Sequence, residues 1–483
     1  MRTRCDSCSL RLNRCAKSES EGAFFEMIVM KFGGTSVESA TAIERVAGIV
    51  RSRLAKHPVV VVSAMGKTTN GLLAMAADAA EGKRTEAFAR LRTIEEFHRR
   101  ESMALVPQLR QKELDTILTD HFRDLGEIVG GICSLRELTP RTVDAVSSYG
   151  ERLSSRIVAL AFEGLGLPAK HLDSRNVIVT DSRHTMASPL LGETYARTAA
   201  SIRSIGEECV TVMGGFISST LEGVTTTLGR GGSDYSAALV GAAIDAEGIE
   251  IWTDVDGFLT CDPNLVADAH PIRTISFDEA AELAYFGAKV LHPATVVPAK
   301  DKNIPVWILN SRRPEAPGTK IVAEAVPCGN ILKSVACKKG VTVVNIRSTR
   351  MLGAHGFLRR IFEIFDRFET PVDMVSTSEV SVSLTVDNGT RLPEICSELA
   401  PFTEVTIDKD CAILCAVGDR IRETPGVAAR ALSALKCVNV RMISQGASLL
   451  NIGLVVSVGD LQKAAACLHR EFFTERDPAV FGD

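Results

Sequence analysis

The feature that most constrains the fold of this chain is a duplication in its last third. Residues 341–347 read as a strand, 356–368 as a helix, and 372–376 and 380–387 as two strands; the same order returns at 411–417, 426–435, 440–444 and 451–457. The segment Val372-Asp373-Met374-Val375-Ser376 matches Val440-Arg441-Met442-Ile443-Ser444, and Gly356 and Gly426 each precede a helix. A βαββ unit alone leaves a sheet face or edge uncovered, so the repeat predicts a duplicated module.

The region before the repeat alternates between apolar strands and helical patterns. Strands are predicted at 27–32, 58–63, 209–213, 249–254 and 305–310, and helices at 39–56, 72–81, 85–105, 113–133 and 141–164. This alternation predicts an α/β fold with a mainly parallel sheet covered by helices on both faces. The region is expected to end near residue 325, after the segment 313–320, which is marked by Pro and Gly.

Length and composition fit this organisation. A chain of 483 residues is expected to form two or three domains. The net charge of −4 gives no reason to expect nucleic acid or an anionic membrane as partner, and no apolar run approaches the roughly 20 residues of a transmembrane helix. The 13 cysteines are odd in number and mostly scattered through apolar segments, which indicates free thiols in a reducing, cytoplasmic setting.

Residues 1–26 differ from the rest and are predicted to be a disordered extension. They hold Cys5, Cys8 and Cys15 among Arg and Ser, without a periodic apolar face. Three cysteines fall one short of the four ligands of a structural zinc site. The segment lacks the apolar stretch of a signal peptide, and a short organelle transit peptide is the alternative.

Three clusters of residues have the chemistry of phosphate or carboxylate binding. Lys31-Phe32-Gly33-Gly34 closes the first strand, where glycine amides and a lysine can approach phosphate, although a tight turn would also use two glycines. The run 225–234, TTTLGRGGSD, surrounds Arg230 with small residues before a helix expected to start at Ser233. An arginine there can hold a carboxylate through two hydrogen bonds, and a surface arginine in a glycine-rich loop is the alternative.

The third cluster, WTDVDG at 252–257, closes a buried strand. Ligands of open α/β sheets lie at such ends, so Asp254 and Asp256 could hold magnesium or nucleotide hydroxyls, or only stabilise a turn. Lys289 follows in an apolar, small-residue setting and would need an anionic partner such as a nucleotide phosphate. His292 precedes Pro293 and is interpreted as a helix-boundary residue.

Together these segments resemble aspartate kinases. KFGGTSV (31–37), SYGERLS (148–154), TTTLGRGGSD (225–234), WTDVDG (252–257) and FGAKVLHP (286–293) occur in the order of that family, and the likeness extends from residue 27 onward. It implies an amino-acid-kinase three-layer sandwich at 27–325, followed by two ferredoxin-like βαββαβ ACT domains at 326–403 and 404–475. The resemblance also allows an exchange of strands between the two ACT units.

The resemblance implies transfer of phosphate from ATP to L-aspartate, giving 4-phospho-L-aspartate and ADP, the first step of lysine, threonine and methionine biosynthesis. Lys31 and Asp234 would be catalytic, and aspartate would bind Ser63, Thr69, Glu151, Arg230, Ser233 and Asp234. ATP would contact Lys31, Gly33, Gly34, Thr253, Asp254 and Lys289. The β-carboxylate of aspartate is already ionised at neutral pH, so no general base is required, and Mg²⁺ would be carried by ATP rather than by protein ligands.

The resemblance further implies feedback inhibition by L-lysine and a homodimer formed through the ACT domains. The implied effector residues are Met351, Gly356, Phe357, Leu358, Val372, Asp373, Ser378 and Glu379, with Asp373 facing the lysine ammonium. Gly353 and Ala354 stand where the family has polar residues. Leu259 and Asn264 replace a common tyrosine and arginine, which leaves open whether their loop contacts the nucleotide.

Two alternatives are a kinase of another acidic amino acid, such as glutamate or N-acetylglutamate, and a non-catalytic amino-acid sensor. The paired ACT-like units and the spelling of two motifs favour aspartate. Loss of Lys31, Arg230 or Asp234 would have favoured a sensor, and all three are present. A fusion with homoserine dehydrogenase would require roughly 350 further residues at usual domain sizes.

Overall fold

The computed structural model describes residues 26–287, 290–324, 327–348 and 355–482. The first region contains strands β1 Ile28–Phe32, β2 Val59–Val62, β3 Ala169–Leu172, β4 Val210–Gly214, β5 Ile217–Ser219, β6 Thr225–Thr227, β7 Gly248–Thr253, β8 Thr274–Ser276, β9 Val306–Asn310 and β10 Thr319–Val322. Its helices are α1 Ala40–Arg51, α2 Thr68–Ala80, α3 Arg84–Met103, α4 Gln111–Leu135, α5 Pro140–Ser147, α6 Tyr149–Gly164, α7 Leu191–Ile205, α8 Gly232–Ala243, α9 Phe277–Tyr285 and α10 Val297–Asp301.

The large sheet of this region has the strand order β3-β4-β2-β1-β7-β9-β10-β8. All neighbours are parallel except β9 and β10. Successive residues of β1 face opposite sides, as strand geometry requires: Met30 packs in one buried apolar cluster and Val29 in the other. Helices cover both faces, and the predicted three-layer sandwich with a mainly parallel sheet is confirmed.

Local sequence explains where the elements begin and end. Val59–Val62 is a run of four β-branched residues buried on both faces, which is typical of a central parallel strand. Helix α1 begins after Ser39, whose side chain accepts a hydrogen bond from the amide of Ala42. The helix predicted at 141–164 is two helices, α5 and α6, which meet at Ser148. An apolar pattern continues through this junction, so periodicity did not reveal it.

The second region forms one antiparallel sheet with the order β12-β13-β11-β14-β16-β15. Its elements are β11 Ser334–Arg347, α11 Phe357–Arg367, β12 Val375–Thr377, β13 Ser381–Val386, α12 Leu392–Leu399, β14 Glu404–Val417, α13 Val427–Ala434, β15 Met442–Gln445, β16 Asn451–Ser457 and α14 Leu461–Phe473. The two 14-residue strands, β11 and β14, pair along their length, with register shifts between Lys339 and Val343.

These long strands pass through both repeated units. The first part of β11, residues 334–339, pairs with residues 412–417, whereas its second part pairs with residues 404–408 and with β13. The part of β14 that pairs with β16 is residues 411–417. Residues 404–408 therefore extend the sheet of the first unit, and residues 334–339 that of the second.

The two regions share an apolar core that includes residues of α8 and α9 as well as β14 and α14. A fully buried ion pair lies at the junction, where Lys333 Nζ is 3.0 Å from Glu279 Oε2. Glu279 is also the third residue of α9 and forms a reciprocal capping box with Ser276. Thr260 Oγ1 and His469 Nε2 lie 2.9 Å apart at the same junction. Among the helices of the described residues, none has the length and apolar character that crossing a bilayer requires.

Candidate active site

The carboxyl ends of strands β4, β2, β1 and β7 lie at one edge of the sheet. The chain passes from β1 to β2 on one side, and β7 later occupies the other side of β1, so this edge contains a topological switch point. Ligands of open α/β sheets bind at such a point. A cavity of about 290 Å³ opens there, lined by Lys31, Ser63, Thr69, Glu151, Phe216, Gly229, Gly231, Gly232, Ser233 and Asp234.

The cavity brings together six of the seven residues proposed to contact aspartate or transfer phosphate: Lys31, Ser63, Thr69, Glu151, Ser233 and Asp234. They come from β1, from the loop after β2, and from helices α2, α6 and α8. Their contact in space therefore depends on the sheet order and not on proximity in sequence.

Lys31 and Asp234 form an ion pair in this cavity. The Lys31 Nζ atom lies 2.6 Å from Asp234 Oδ1, and the two side chains are 11% and 12% exposed. Asp234 lies in the first turn of α8, where Gly231, at φ 71°, is the N-cap. Lys31 and Asp234 compensate each other's charge, and the N-terminus of α8 adds partial positive charge at this corner of the cavity.

The backbone at Gly215 lies very close to Ser233, and this contact fixes the start of α8 at the edge of the sheet. A Cβ atom on Gly215, which follows β4, would lie 2.6 Å from Ser233 Cβ. Any residue larger than glycine would therefore push the start of α8 away from the cavity. The glycine at this position keeps Ser233 and Asp234 beside Lys31.

Glu151 is the buried acid of the cavity. One carboxylate oxygen, Oε1, accepts a hydrogen bond of 3.1 Å from the amide of Ala64, while Oε2 is buried without a partner among the described residues. Burial raises the pKa of Glu151 to about 8, against the opposing effect of the Ala64 amide. A buried carboxylate with one oxygen unpaired is suited to receive a cationic ligand group.

Arg230 lies at the rim of the cavity and does not line it. It is exposed, between Gly229 and Gly231, which have φ values of 74° and 71° and do line the cavity. Within the described part of the chain, the Arg230 side chain forms no hydrogen bond or ion pair. Its guanidinium is therefore available to a ligand that enters from solvent.

A buried aspartate that the sequence did not reveal supports the Arg230 loop. Asp144, on α5, is fully buried and accepts hydrogen bonds from Thr227 Oγ1 at 2.5 Å and from the Thr185 amide at 3.0 Å. His184 Nδ1 lies 2.7 Å from its second oxygen. These partners come from separate segments of the chain, so neither a motif nor a spacing marks Asp144 in the sequence.

The proposed ATP-binding residues lie beside the cavity, at the ends of β1 and β7. The Gly33 amide donates a 3.0 Å hydrogen bond to the carbonyl of Trp252 and is therefore already occupied. The Gly34 carbonyl accepts from the amide of Gly66. Thr253 is half-buried and Asp254 exposed at the end of β7, with Thr253 Oγ1 at 3.3 Å from Asp254 Oδ1.

Asp256 and Asn264 are held by their own neighbours. Asp256 accepts a 2.7 Å hydrogen bond from Asn310 Nδ2 and pairs with Arg313, so the turn-stabilising interpretation fits it. Asn264 donates to Asp262 Oδ1 through both its amide and its side chain. The carbonyl of Leu259 accepts a hydrogen bond from Ser334 Oγ, at the start of the second region.

Lys289 and Met351, two of the predicted ligand-binding residues, lie outside the described residues. Gly287 is the last residue described before Lys289. At φ 125° it approaches β11 so closely that a Cβ atom would lie 2.3 Å from the carbonyl oxygen of Cys337. The chain is therefore in direct contact with β11 at Gly287.

Comparisons with known proteins agree with this geometry. Residues 26–310 match the amino acid kinase family, and residues 414–472 match the ACT domain. Aspartokinase 1, chloroplastic, of Arabidopsis thaliana is 38% identical over 93% of this chain and 80% of its own. Lysine-sensitive aspartokinase 3 of Escherichia coli is 35% identical over 93% of this chain and 99% of its own. The chain belongs to the aspartokinase family.

Solved aspartokinase structures support the same assignment. E. coli aspartokinase III in complex with lysine and aspartate (T-state) superposes with a TM-score of 0.79 at 34% identity, covering 93% of this chain and all of that one. The same enzyme in complex with aspartate and ADP (R-state) gives the same values. The resemblance inferred from five motifs is thus confirmed, and the chain is an aspartate kinase.

The proposed effector residues of this aspartokinase lie in and beside the first ACT unit. Gly356, at φ 76°, is the N-cap of α11; Phe357 is buried, and Val372 packs against the same apolar cluster. Leu358 is 40% exposed. Ser378 and the exposed Glu379 lie in the turn between β12 and β13, where the hydroxyls of Ser378 and Ser381 are 2.7 Å apart.

Asp373 connects this unit with the kinase region. Its carboxylate lies 3.1 Å from Lys338 Nζ and accepts a 2.9 Å hydrogen bond from Tyr285 Oη, at the end of α9. Lys338 Nζ is also 2.6 Å from Asp387. Burial raises the pKa of Asp373, and Lys338 acts in the opposite direction. Sequence reasoning missed both Lys338 and Tyr285, although Tyr285 directly precedes the FGAKVLHP motif.

The second unit differs at the matching position. Arg441 corresponds to Asp373, and the two backbone amides make equivalent hydrogen bonds, to the carbonyls of Val455 and Thr385. The guanidinium of Arg441 donates to Cys411 Sγ at 3.1 Å. The acid of the first unit is therefore replaced by a base in the second.

Proposed function

We propose that the cavity between Lys31, Glu151 and Asp234 is where this enzyme transfers the γ-phosphoryl group of ATP to the β-carboxylate of L-aspartate. One β-carboxylate oxygen forms a bond to phosphorus while the bond to the β,γ-bridging oxygen of ATP breaks. The products are 4-phospho-L-aspartate and ADP. No proton is transferred to or from the attacking carboxylate, because it is already ionised at neutral pH.

The observation that carries the substrate assignment is the unpaired, buried Oε2 atom of Glu151 in this cavity. The α-ammonium of an amino acid would supply the missing cation and hydrogen bonds. Arg230, exposed at the rim, would hold the α-carboxylate through two hydrogen bonds. With both α-groups held in this way, the β-carboxylate would point toward Lys31.

Lys31 and the N-terminus of α8 would stabilise the charge of the transferred group. Phosphoryl transfer is catalysed chiefly by positioning and by fixed positive charge. Asp234, 2.6 Å from the lysine, would orient Lys31 before ATP binds and share the ammonium of aspartate with Glu151. Ser63, Thr69 and Ser233 would supply hydroxyl donors around the substrate.

ATP would bind beside β1 and β7, against Gly34, Thr253 and Asp254, with Lys289 as a further phosphate contact. Since the Gly33 amide is occupied, Gly33 would contribute close backbone approach and not a hydrogen bond. Bound Mg²⁺ would neutralise phosphate charge during transfer. We propose that ATP carries the cation, because Mg²⁺ beside a nucleotide is usually bound through phosphates and water with only one or two protein carboxylates.

We also propose that L-lysine inhibits the enzyme by binding at the first ACT unit. Asp373 would accept the ammonium of the lysine side chain, which would compete with Lys338 for the same carboxylate. The second unit has Arg441 at this position and would repel that ammonium. The hydrogen bond between Tyr285 and Asp373 gives the effector a route to α9 and to the loop that leads to Lys289.

The strand pairing favours a division of the regulatory region that differs from 326–403 and 404–475. We propose that residues 341–408 form the first ACT unit and that residues 333–339 and 411–473 form the second, into which the first is inserted.

The edge strand β12 carries exposed Val375, Ser376 and Thr377. We propose a homodimer that pairs ACT units of two chains, which sedimentation of the full chain with and without lysine would test.

Release of ADP by the purified enzyme tests the reaction. Turnover is expected with Mg-ATP and L-aspartate, and not with L-glutamate or N-acetyl-L-glutamate. N-acetyl-L-aspartate keeps both carboxylates and lacks the ammonium, so it should also be inactive if Glu151 binds that group. Turnover of N-acetyl-L-aspartate at a rate near that of aspartate would contradict the role of Glu151. Lysine should inhibit, and inhibition by threonine alone would contradict only the effector assignment.

A further inference from the structure

Two cysteines of the second ACT unit lie in contact at its surface. Cys437 is in the turn between α13 and β15, Cys467 is in the middle of α14, and their Sγ atoms are 4.0 Å apart. A disulfide has an S–S length of about 2.05 Å, so the two sulfur atoms must approach each other by roughly 2 Å to form one. Cys437 lies outside regular secondary structure, where such a movement requires no helix or strand to shift.

The two thiols have different environments. Cys437 is exposed, whereas Cys467 is half-buried. No other cysteine among the described residues is exposed. Burial and the neighbouring Cys437 raise the pKa of Cys467, and the charges of Arg470 and Lys463 partly oppose this. Lys463 Nζ also donates a 3.1 Å hydrogen bond to the carbonyl of Cys437. An exposed thiol with a second thiol beside it is the arrangement that thiol–disulfide exchange uses.

We propose that Cys437 and Cys467 form a reversible disulfide by exchange with a low-molecular-weight disulfide such as oxidised glutathione. The Cys437 thiolate attacks one sulfur of the glutathione disulfide, which forms a mixed disulfide and releases one glutathione thiolate. The Cys467 thiolate then attacks Cys437 Sγ and releases the second. The protein loses two protons and two electrons, and glutathione disulfide becomes two molecules of the reduced thiol.

The link would join the turn that follows α13 to helix α14 and close a loop between residues 30 positions apart. Helix α14 also contacts the kinase region, through His469 to Thr260 and through Gln462 to the carbonyl of Leu265. The crosslink would therefore fix the turn after α13 to the helix by which this unit contacts the kinase.

The test uses the full chain, reduced, freed of reductant and treated with oxidised glutathione. After blocking of free thiols, trypsin should release Cys437 and Cys467 on separate short peptides, residues 437–441 and 464–470, each with one cysteine. The expected product is a disulfide between these two peptides that dithiothreitol reverses. Because each peptide is identified by mass, reactions at Cys5, Cys8 and Cys15 do not affect the result.

Two variants separate the steps. Cys467→Ser should stop at a stable glutathione adduct on Cys437, and Cys437→Ser should leave Cys467 unmodified under the same conditions. Cys261→Ser, which changes a buried cysteine, should form the 437–467 link as the wild type does. A wild-type protein that accumulates only the glutathione adduct on Cys437, links Cys437 to another cysteine, or leaves both thiols free would overturn the proposal.

Discussion

Two lysine–aspartate pairs lie in different regions of this molecule. In the kinase cavity Lys31 is 2.6 Å from Asp234, and in the regulatory region Lys338 is 3.1 Å from Asp373 of the first ACT unit. Both pairs are largely buried, with side chains 11% and 12% exposed in the cavity and 18% and 7% exposed in the ACT unit. Each site also contains a second acid, Glu151 in the cavity and Asp387 in the ACT unit.

The second acid distinguishes the two sites. Asp387 contacts the same lysine as Asp373 and is 46% exposed, so Lys338 and solvent compensate its charge. Glu151 is buried, forms no ion pair with the described residues, and has a pKa raised to about 8 by burial. Burial without a compensating charge favours the protonated form of this acid. We therefore expect that aspartate must displace a proton from its site and that an effector ammonium must compete with Lys338.

The largest expected effect comes from breaking the pair in the cavity. Lys31→Ala should lower turnover by about 100-fold or more, with smaller changes in the KM of either substrate, because the charge that Lys31 stabilises develops during transfer. The matched change Lys338→Ala should leave turnover without lysine within about twofold, a change of less than 0.5 kcal/mol. Steady-state kinetics of both variants measures this contrast. Near-normal turnover of Lys31→Ala would contradict the catalytic role of Lys31.

A smaller effect is expected at Arg230, which has no equivalent beside Lys338. Arg230→Lys retains the charge and loses the planar pair of donors, so it should raise the KM of aspartate by roughly ten- to a hundredfold, or about 1.5–3 kcal/mol. The KM of ATP should change little. If the variant bound ATP more weakly and aspartate normally, the assignments of the aspartate site and the ATP site would have to be reversed.

Breaking the pair in the ACT unit should affect inhibition alone. Asp373→Ala should remain active and require at least about tenfold more lysine for half-inhibition, which corresponds to loss of one charged hydrogen bond. Lys338 keeps Asp387 as a partner in this variant, so a large loss of stability is not expected. Arg441→Ala, at the equivalent position of the second unit, is the control, and lysine should inhibit this variant as it inhibits the wild type. Equal loss of inhibition in both variants would contradict the assignment to the first unit.

The smallest expected effect is a gradual change in aspartate binding with pH. Glu151 holds a proton below pH 8, and this proton must leave before the carboxylate pairs with the aspartate ammonium. The KM of aspartate should therefore fall as pH rises toward 8, by up to about tenfold per pH unit, and level off above it. Glu151→Gln should bind aspartate more weakly and remove this slope. A flat wild-type profile between pH 6 and 8 would show that Glu151 is already ionised.

The structure brings together more of the residues predicted for the substrate cavity than of those predicted for the effector site. Lys31 and Ser63 lie at the carboxyl ends of β1 and β2, and the switch point of a parallel sheet brings such ends together. Topology and sequence therefore give the same answer for these two residues, whereas Thr69, Glu151 and Asp234 come from helices. The support of the cavity was not predictable in this way, because Asp144 acts through Thr185 and Thr227, which only the folded chain brings to it.

The regulatory region shows a different limit. Its duplication, helices α11 and α13, and part of each of its strands were predicted from the repeated pattern, whereas helices α12 and α14 were not. The exchange of strand segments between units was not located, because an apolar strand does not specify its partner. Lys338 was also missed, since one of two consecutive lysines in a strand resembles a solvated surface residue until Asp373 and Asp387 lie against it.

The buried pair of Lys333 and Glu279 limits how this enzyme can be divided or recombined. Lys333 stands immediately before β11 and its ammonium reaches into the kinase region, where both side chains are fully buried. Dividing the chain between Glu279 and Lys333 would leave an unpaired charge in an apolar interior, at a cost of about 3–5 kcal/mol. A chimaera that took its regulatory half from another aspartokinase would therefore need a matching lysine and glutamate from the same parent, because the boundary between catalysis and control lies inside a shared core and not in a linker.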